Sequence, residues 1–589
     1  MEFDIGTPRY RPTRICHVVI GGEFGWRNGS GKWPAYSPDS LPSTADIGPG
    51  SPTGVTFGYD TKFPEPYRSM LFLCDWSYGR IDMANVSRSG ASYKAQHRLF
   101  AARAPLPVVD IVANPRDGAL YLMTGGRNVQ WHVYRIRYEG SHVVSDTEST
   151  KSSHPARRQP AAESHLHEFR RMLEGLHQQS GAYVVDGVWP YLGHSDRHIR
   201  FAARIALEHQ AVGRWKLRAL SETDPQMLVT AAIAVARNCP ESAADGHQLI
   251  TSLLQLNFQS LSHNLQVEFL RAISLTLIRQ GNQGEADRHS LIQLLLAEYP
   301  SGNRTINREL CRLLMFLRSS DAIAPTVKLL EVADLPEDQI HFAMTLRNIE
   351  DGWAVALRRR YFEWLVKGRL YAGGRSNGEF VEQIRKDAEA SLSAGHRAAL
   401  ADVLQQLATR PAPSPAIEAR PVIQKWTVAD LIEDRDTPWS AFLTDADDVS
   451  RGESLFAAAA STRCQRVKGR GGIVGPDLSS ISRRFSPYDL LEAAVDPAKS
   501  VPADYQSVSV VTQDGNVVTG QIVNLSSRSS SLRTDALAPA NLTKVPQAEV
   551  EEIVPSKASL MPAGLLDSLH REEIHEMLSW LVRQSAAAQ

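Results

Sequence analysis

The sequence is poor in the residues that build disulfide frameworks and metal sites. Among its 589 residues there are only five cysteines, and no two have a paired spacing: Cys16, Cys74, Cys239, Cys311 and Cys464. This set argues against a disulfide framework and indicates small buried apolar side chains for most of the thiols. A zinc-binding spacing, a phosphate-binding loop and a Ser/His/Asp set are also missing, so the sequence indicates none of these common enzyme sites.

Net charge and long apolar runs are missing as well. The 64 Lys and Arg residues nearly balance the 65 Asp and Glu residues, which leaves no long-range attraction to nucleic acid or to an anionic membrane. No stretch approaches the roughly 20 apolar residues of a membrane-spanning helix. The start, Met-Glu-Phe-Asp-Ile-Gly, has neither the basic nor the apolar part of a secretory signal. We therefore expect no nucleic-acid partner, no transmembrane segment and no visible export signal.

Residues 1–140 predict antiparallel β-structure. They are rich in Gly, Pro, Trp and Tyr, and the apolar runs that begin at Ser69, Leu106 and Ala119 predict strands. The sequence Asn-Pro-Arg-Asp-Gly118 between the last two runs predicts a turn, because proline fixes φ and glycine accepts positive φ. Short strands separated by such turns are typical of sandwiches and of propeller blades.

The middle of the chain predicts a helical array between two linkers. Residues 141–165 are polar with two prolines, residues 410–440 begin with a Pro-rich stretch, and both are expected to be linkers. Between them, over 166–409, the apolar period changes to that of amphipathic helices. One such helical stripe consists of Ile199, Ala202, Ala203, Ala206 and Leu207. The basic run Arg358–Arg360 is interpreted as a solvated helix face.

Residues 441–585 predict a mainly α-helical domain with one inserted β-hairpin. Helices are expected near 450–460 and 486–495. A last helix carries an apolar stripe of Ile574, Met577, Leu578, Leu581 and Val582. Alternating strands on either side of Asp514-Gly515 predict the hairpin, because Asp-Gly is a strong signal for a tight turn.

The most specific pattern lies at 454–478. A helical stretch ends in Ser461-Thr-Arg-Cys464-Gln465, a Gly-Pro476-Asp-Leu loop follows, and Ser-Leu-Met561-Pro lies downstream. These segments resemble the haem-attachment helix, the haem-packing loop and the methionine loop of c-type cytochromes, in which Cys-x-x-Cys-His holds the haem. The resemblance implies a haem c site with a thioether from Cys464, packing by Pro476 and an axial iron ligand from Met561.

Two positions depart from that family pattern. Ser461 stands where the first cysteine belongs, and Gln465 stands where the proximal histidine belongs. A serine hydroxyl cannot form the thioether, and a glutamine amide cannot replace imidazole on haem iron. We therefore expect a degenerate attachment motif without covalent haem, with Met561 packed in the core. The two histidines in the sequence of this domain, His570 and His575, are interpreted as ordinary residues of the last helix.

Over its whole length the chain resembles the large multidomain haem-binding proteins of planctomycetes and verrucomicrobia. Gly50-Ser-Pro-Thr-Gly and Asp110-Ile-Val-Ala-Asn-Pro are similar to the last blades of glucose/sorbosone-dehydrogenase-like β-propellers. The stretch 188–208 is similar to a HEAT repeat, in which Asp196 would cap a helix and Arg200 would bridge to its neighbour. The resemblance implies a multidomain fold: a partial β-propeller, a HEAT-like α-solenoid and a cytochrome c-like domain.

Three functions remain open at this stage. The family resemblance implies a periplasmic or extracytoplasmic protein that passes electrons through haem c to a redox partner. The alternative is a haem-free binding or scaffolding protein whose helical array offers a surface to a protein partner. The third is a propeller-based sugar or alcohol dehydrogenase, but its catalytic base and cofactor pocket would come largely from blades outside 1–140. We therefore assign no catalytic residue.

Overall fold

The computed structural model describes residues 13–586 with interruptions. The parts of the chain outside this description are residues 1–12, 25, 28–30, 33, 49–50, 77–78, 103–105, 126–130, 141–160, 282–283, 334, 370–376, 410–419, 436, 443–448, 468–469, 472–473, 476–477, 479–485, 500, 502–504, 526–528, 538–541 and 587–589. The described residues form a mixed multidomain architecture of small antiparallel sheets, none of them closed, and 20 α-helices. No helix in this part of the chain combines the length and the apolar content needed to cross a bilayer.

The N-terminal region contains two larger sheets and two small strand pairs. The four-stranded sheet has the order β5 (Pro52–Phe57), β6 (Leu71–Asp75), β7 (Arg80–Ser89) and β8 (Ser92–Ala102). The three-stranded sheet joins β9 (Val108–Ala113), β10 (Leu120–Thr124) and β11 (His132–Ile136). The pairs are β1 (Thr13–Ile15) with β4 (Ala45–Gly48), and β2 (Trp26–Arg27) with β3 (Gly31–Lys32). The three predicted strands correspond to β6, β9 and β10, and the predicted turn ends at Gly118 with φ of +69°.

The two larger sheets pack on each other through a shared apolar core. Phe72 and Ile81 of the first sheet and Val108 and Leu120 of the second are fully buried in it. A Cβ atom at Gly54 of β5 would lie 2.6 Å from the Cα of Asp110 in β9. Glycine is therefore required where the two sheets come closest.

A long array of helices follows. Its members are α1 (Ala161–Gly175), α2 (Ala182–Val188), α3 (Arg197–Glu208), α4 (Lys216–Leu220), α5 (Pro225–Asn238), α6 (Ala243–Leu254), α7 (His263–Arg279), α8 (Gly284–Ala297), α9 (Arg304–Phe316), α10 (Ile323–Val332), α11 (Pro336–Leu346), α12 (Val355–Gly368), α13 (Asn377–Ala390), α14 (Ala394–Ala399) and α15 (Ala401–Ala408). Helix α1 begins inside the segment that was predicted as a linker.

The helices stack in two rows. In the first row, contacts run in succession through α3, α5, α7, α9 and α11. The second row consists of two runs of successive contacts, one through α4, α6 and α8 and the other through α10, α12 and α15. A single apolar core runs through the array from Leu173 to Leu407. Alanines such as Ala202, Ala203 and Ala206 are buried at the start of the array, and their small side chains permit close helix approach.

Polar residues fix the ends of these helices. Asp196 accepts hydrogen bonds from the backbone N–H groups of His198 and Ile199, so it caps α3 as predicted. Arg200 reaches Glu268 of α7 at 2.7 Å, so its bridge goes to the next helix but one in the row and not to the neighbouring α5. The sequence pattern around 188–208 thus identified the start of α3, whereas the partner of Arg200 was not anticipated.

The prediction of a solvated basic face at Arg358–Arg360 was wrong for Arg358. The residue is 1% exposed, and its guanidinium lies over the Trp353 ring and donates to the backbone carbonyls of Ile349 and Ser391. Burial lowers its pKa. Arg358 therefore ties the turn before α12 to the turn after α13, while its two neighbours form ion pairs at the surface.

The C-terminal region begins with a segment that packs on the last helix. Its helices are α16 (Val428–Leu431), α17 (Val449–Ala458), α18 (Ser461–Cys464), α19 (Pro487–Val495) and α20 (Arg571–Ala586), with a small pair of β12 (Arg466–Val467) and β13 (Arg470–Gly471). The Trp426 indole donates to the Leu569 carbonyl, and Arg420 pairs with Glu573. Helix α17 packs against α20, where a Cβ at Gly452 would overlap Trp580. The predicted apolar stripe of α20 is buried.

The insertion before α20 is larger than the predicted hairpin. The hairpin is present as β14 (Ser507–Thr512) and β15 (Val517–Leu525), with Gly515 at φ of +83°. Three further strands join it: β16 (Ser529–Arg533), β17 (Leu542–Pro546) and β18 (Val550–Ser556). The sheet order is β17-β16-β15-β14-β18, so the outer strands β17 and β18 are consecutive in the chain.

This order forces the five-stranded sheet to curl. The outer strands of a flat five-stranded sheet would lie about 19 Å apart, at about 4.8 Å per spacing. Only Gln547–Glu549 connect β17 to β18, and four Cα steps reach at most about 14 Å. A shift of register in β15 near Ile522 accompanies the bend.

The double role of Asp196 predicts a large cost for its removal. Besides capping α3, its carboxylate accepts a hydrogen bond of 2.8 Å from the buried backbone N–H of Ala91. Ala91 lies in the turn between β7 and β8, among the N-terminal strands between Thr13 and Ile136, which we call the β-region. We expect Asp196→Ala to lower the free energy of unfolding by about 3 kcal/mol, the sum of a lost cap and an unsatisfied N–H. Asp224→Ala removes only the cap of α5 and should cost about 1 kcal/mol. Urea denaturation measures both; equal losses would contradict the double role.

Candidate functional site

The Cys464 segment forms a single helical turn after α17. Ala460 between the two helices has a left-handed φ of +54°, and Ser461 and Cys464 are buried while Gln465 is partly exposed. The chain therefore turns sharply before the segment that resembles a haem-attachment motif.

The thiol of Cys464 is enclosed by protein. Its Sγ donates to the backbone carbonyl of Ala536, 3.3 Å away in the loop after β16, and Val474, Leu537 and Leu560 pack around it. Burial raises the pKa of this thiol to about 11. Cys464 is therefore a neutral, hydrogen-bonded side chain in a small apolar cluster, where it is poorly placed for covalent chemistry.

The structure brings some of the other predicted site residues near Cys464. Leu560 belongs to the Cys464 cluster, so the loop that carries Met561 lies beside it. Met561 itself is partly buried, and its N–H donates to the Ser559 hydroxyl. Pro476 lies outside the described residues.

The two histidines of the last helix have ordinary surroundings. The His575 ring packs on Phe442 and its Nε2 lies 3.3 Å from the Leu431 carbonyl, while His570 is exposed at the start of α20. Across the described parts of the chain, no cluster of three or more His, Cys, Asp or Glu side chains could hold a metal ion. With Ser461 and Gln465 in place of cysteine and histidine, these residues do not fit a covalently attached, His/Met-ligated haem.

A second candidate site lies on the helical array. The face formed by α3, α5, α7 and α9 contacts residues 34–41, which we call the docked segment. The docked segment makes two consecutive turns: Ser37 N–H donates to the Pro34 carbonyl and Ser40 N–H donates to the Ser37 carbonyl. We call the face that receives it the groove face.

An ion pair lies at the centre of this contact. Nε and Nη2 of Arg271 in α7 donate to the two oxygens of the Asp39 carboxylate, at 3.1 and 2.8 Å, and Arg237 of α5 lies 3.9 Å from it. The side chains of Asp39 and Arg271 are 1% and 8% exposed. Loss of either partner would leave a charge buried, which makes this pair a strict positional constraint.

One arginine of the groove face binds the backbone of the docked segment. Arg197 of α3 donates to the backbone carbonyls of Ala35, Ser37 and Ser40. Burial lowers the pKa of Arg197 to about 10, so it remains charged at neutral pH.

The ends of the docked segment reach opposite ends of the groove face. The Tyr36 hydroxyl donates to Glu309 of α9 at 3.0 Å. Leu41 is buried against Phe201 and Ile205 of α3. The docked segment thus crosses the helices in the reverse of their order in the chain.

A cavity of about 350 Å³ adjoins the docked segment beside Tyr36. It is lined by Arg197 and Arg200, by Glu268, and by residues at the starts of α5 and α7 that include Gln226 and Asn264. Glu268 accepts from Arg200 and Gln226, and Arg197 donates to carbonyls of the docked segment, so the charged groups of the lining have partners. The cavity size falls within the range of small-ligand and side-chain pockets.

Comparison with known proteins gives no assignment for either site. Neither a scan against protein-family models nor a search of curated proteins found a match to this chain. The geometry of the two sites therefore carries the functional argument.

The sequence analysis missed the groove face. Asp39 and Arg271 are 232 positions apart, and nothing in the local pattern of either residue indicates its partner. One signal was present: Pro34, Pro38 and Pro42 surround Asp39, and such a Pro-rich, turn-forming stretch predicts a defined loop rather than a strand.

Three histidines meet where the β-region contacts α1 and α3. The ring of His17 lies 6.4 Å from that of His167 and 6.5 Å from that of His198, and Tyr93 packs edge-on against His17 at 4.7 Å. Burial, helped by the nearby Arg170 charge, lowers the pKa of His17 to about 4. Burial likewise lowers the pKa of His198 to about 4 and lowers that of His167.

These lowered pKa values predict an acid-sensitive junction. The unfolded chain takes up these protons near pH 6.5, and the folded chain only at lower pH, so stability should fall as the pH is lowered from about 6.5 towards 4. We expect a lower urea midpoint at pH 5 than at pH 7 and a smaller difference in His198→Gln. His263→Gln, at an exposed position, is the control. An unchanged difference in His198→Gln would show that this cluster does not set the pH dependence.

The burial of Cys464 predicts its reactivity. With an aromatic disulfide reagent at pH 8, the native chain should show one fast thiol, the partly exposed Cys16, because Cys74, Cys239, Cys311 and Cys464 are buried. Cys16→Ser should remove the fast phase, and denaturant should release the other four thiols. A second fast thiol that disappears in Cys464→Ser would contradict the enclosed geometry described above.

Proposed function

We propose that this chain is a haem-free binding protein, in which the helical array provides the binding surface and the C-terminal region is a cytochrome c-like module without cofactor. The observation that carries the proposal is the state of Cys464. Its thiol is hydrogen-bonded to Ala536 inside an apolar cluster, and Ser461 and Gln465 replace the other residues that a haem c would need.

We propose that the resemblance to planctomycete and verrucomicrobial haem-binding proteins reflects common ancestry. A loop with Leu560 and Met561 next to Cys464 is the arrangement that a c-type cytochrome domain would leave after loss of its ligands. On the same reasoning, the β-region derives from the last blades of a dehydrogenase-like propeller. On this proposal neither part retains redox chemistry. A periplasmic location is proposed from the resemblance alone.

The binding role is supported by the form of the helical array. Two rows of stacked helices with one continuous core are the architecture of α-solenoids, and HEAT-like repeats are the type that we propose here. Such arrays present long surfaces made of successive helices. The groove face already holds a segment of polypeptide through Arg197, Arg271 and Glu309, so the surface is suited to peptide recognition.

Haem content tests the first half of the proposal. The chain, produced in a host that exports it and matures c-type cytochromes, should show no Soret band and no pyridine haemochrome. The double variant Ser461→Cys/Gln465→His, made in parallel, restores the Cys-x-x-Cys-His pattern and asks whether a haem-sized space survives. About one haem per natural chain would contradict the proposal. Haem uptake by the double variant alone would show that the pocket persists and only its ligands are lost.

A further inference from the structure

We propose that the groove face is a peptide-binding site whose ligand in trans is a turn-forming segment of another protein that carries a tyrosine and, three residues later, an aspartate. In this chain the docked segment, residues 34–41, occupies that site as a tethered ligand. This inference rests on the proposed binding function and names its site and its partner class.

The first argument is the anatomy of the contact. Arg197 holds three backbone carbonyls of the docked segment, a mode of binding that is independent of side-chain identity. Arg271 and Glu309 select two side chains, Asp39 and Tyr36, at a fixed spacing. Backbone contacts that position a peptide, combined with a few side-chain anchors that specify it, are the usual composition of a peptide-recognition site.

The second argument is the charge left behind when the docked segment departs. Arg271 is buried against Asp39, and Arg237, which also pairs with Glu208, lies close to the same carboxylate, so an open groove face would lack the carboxylate that Arg271 binds. Such a state is costly. The site therefore exchanges one carboxylate-bearing segment for another more readily than it stays open, and a peptide with alanine in the aspartate position is rejected.

The third argument is the cavity beside Tyr36. The docked segment competes from a tether, which gives it an effective concentration in the millimolar range. A partner in trans needs contacts that the docked segment lacks. The cavity of about 350 Å³ offers them, since it continues the groove face past Tyr36 and includes the polar side chains of Gln226 and Asn264. A polar residue next to the tyrosine of the partner would bind there.

The test uses the full chain and a labelled peptide with the sequence of residues 34–42, Pro-Ala-Tyr-Ser-Pro-Asp-Ser-Leu-Pro. In the variant Asp39→Arg the docked segment is repelled by Arg271 and Arg237, which frees the groove face. We expect fluorescence anisotropy to show binding to Asp39→Arg at least about 30-fold tighter than to the natural chain. Alanine at the aspartate position of the peptide should abolish that gain.

Two further variants make the result specific. Adding Arg271→Ala to Asp39→Arg should remove peptide binding. Adding Arg288→Ala should leave it unchanged, because Arg288 belongs to α8 in the other row of helices. The charge-swapped chain Asp39→Arg/Arg271→Asp should regain part of the thermal stability that Asp39→Arg loses, because the new carboxylate at position 271 attracts the new guanidinium at position 39 while Arg237 still repels it, and it should refuse the natural peptide. Circular dichroism of each variant reports whether the array has remained folded.

The outcomes separate the inference from its rivals. A folded Asp39→Arg chain that does not bind the peptide would overturn it and leave residues 34–41 as a brace between the β-region and the array. If Asp39→Arg does not fold, peptide binding to Asp39→Asn decides in the same way. A concentration-dependent dimer of the natural chain that Asp39→Arg abolishes would overturn it in favour of a second copy as the occupant. A Soret band in these samples would reject the haem-free function independently of the peptide result.

Discussion

The buried ion pair between Asp39 and Arg271 is the contact on which the arrangement of the β-region and the helical array depends. Two opposite charges that are both removed from water stabilise their contact, because a buried charge without a partner is costly. The pair positions the docked segment, which lets Arg197 reach three of its carbonyls. The bond from Ala91 to Asp196 then fixes the β-hairpin of β7 and β8 at the start of the same helix.

The Cys464 segment shows how a cysteine is accommodated where the other residues for haem attachment are absent. A cysteine that lacks a second thiol and an imidazole beside it is only a small apolar residue, and burial with a carbonyl acceptor is the stable use of such a side chain. The loop after β16 supplies that acceptor. A loop of the insertion thus shares a small apolar cluster with the segment that resembles a haem site, beside the separate core of the inserted sheet.

Local patterns anticipated the helices, the cap at Asp196 and the Asp-Gly hairpin, because each of these depends on residues within one turn or two strands. They did not anticipate β16, which is mostly serine, or β17 and β18, whose burial is slight. The burial of Arg358 was missed because its partners are backbone carbonyls, which leave no trace in a sequence. The groove face was missed for a related reason: it joins residues that only the tertiary fold brings together.

The register of the curled sheet has a consequence for how such a chain can arise. Ser507, the first residue of β14, pairs with Ser556, the last residue of β18, so the five strands leave the surrounding fold and return to it at nearly one point. A unit with adjacent ends can be gained, exchanged or deleted without moving the helices on either side of it. For the same reason, a foreign domain with adjacent ends could replace the inserted sheet, with its junctions next to these two serines.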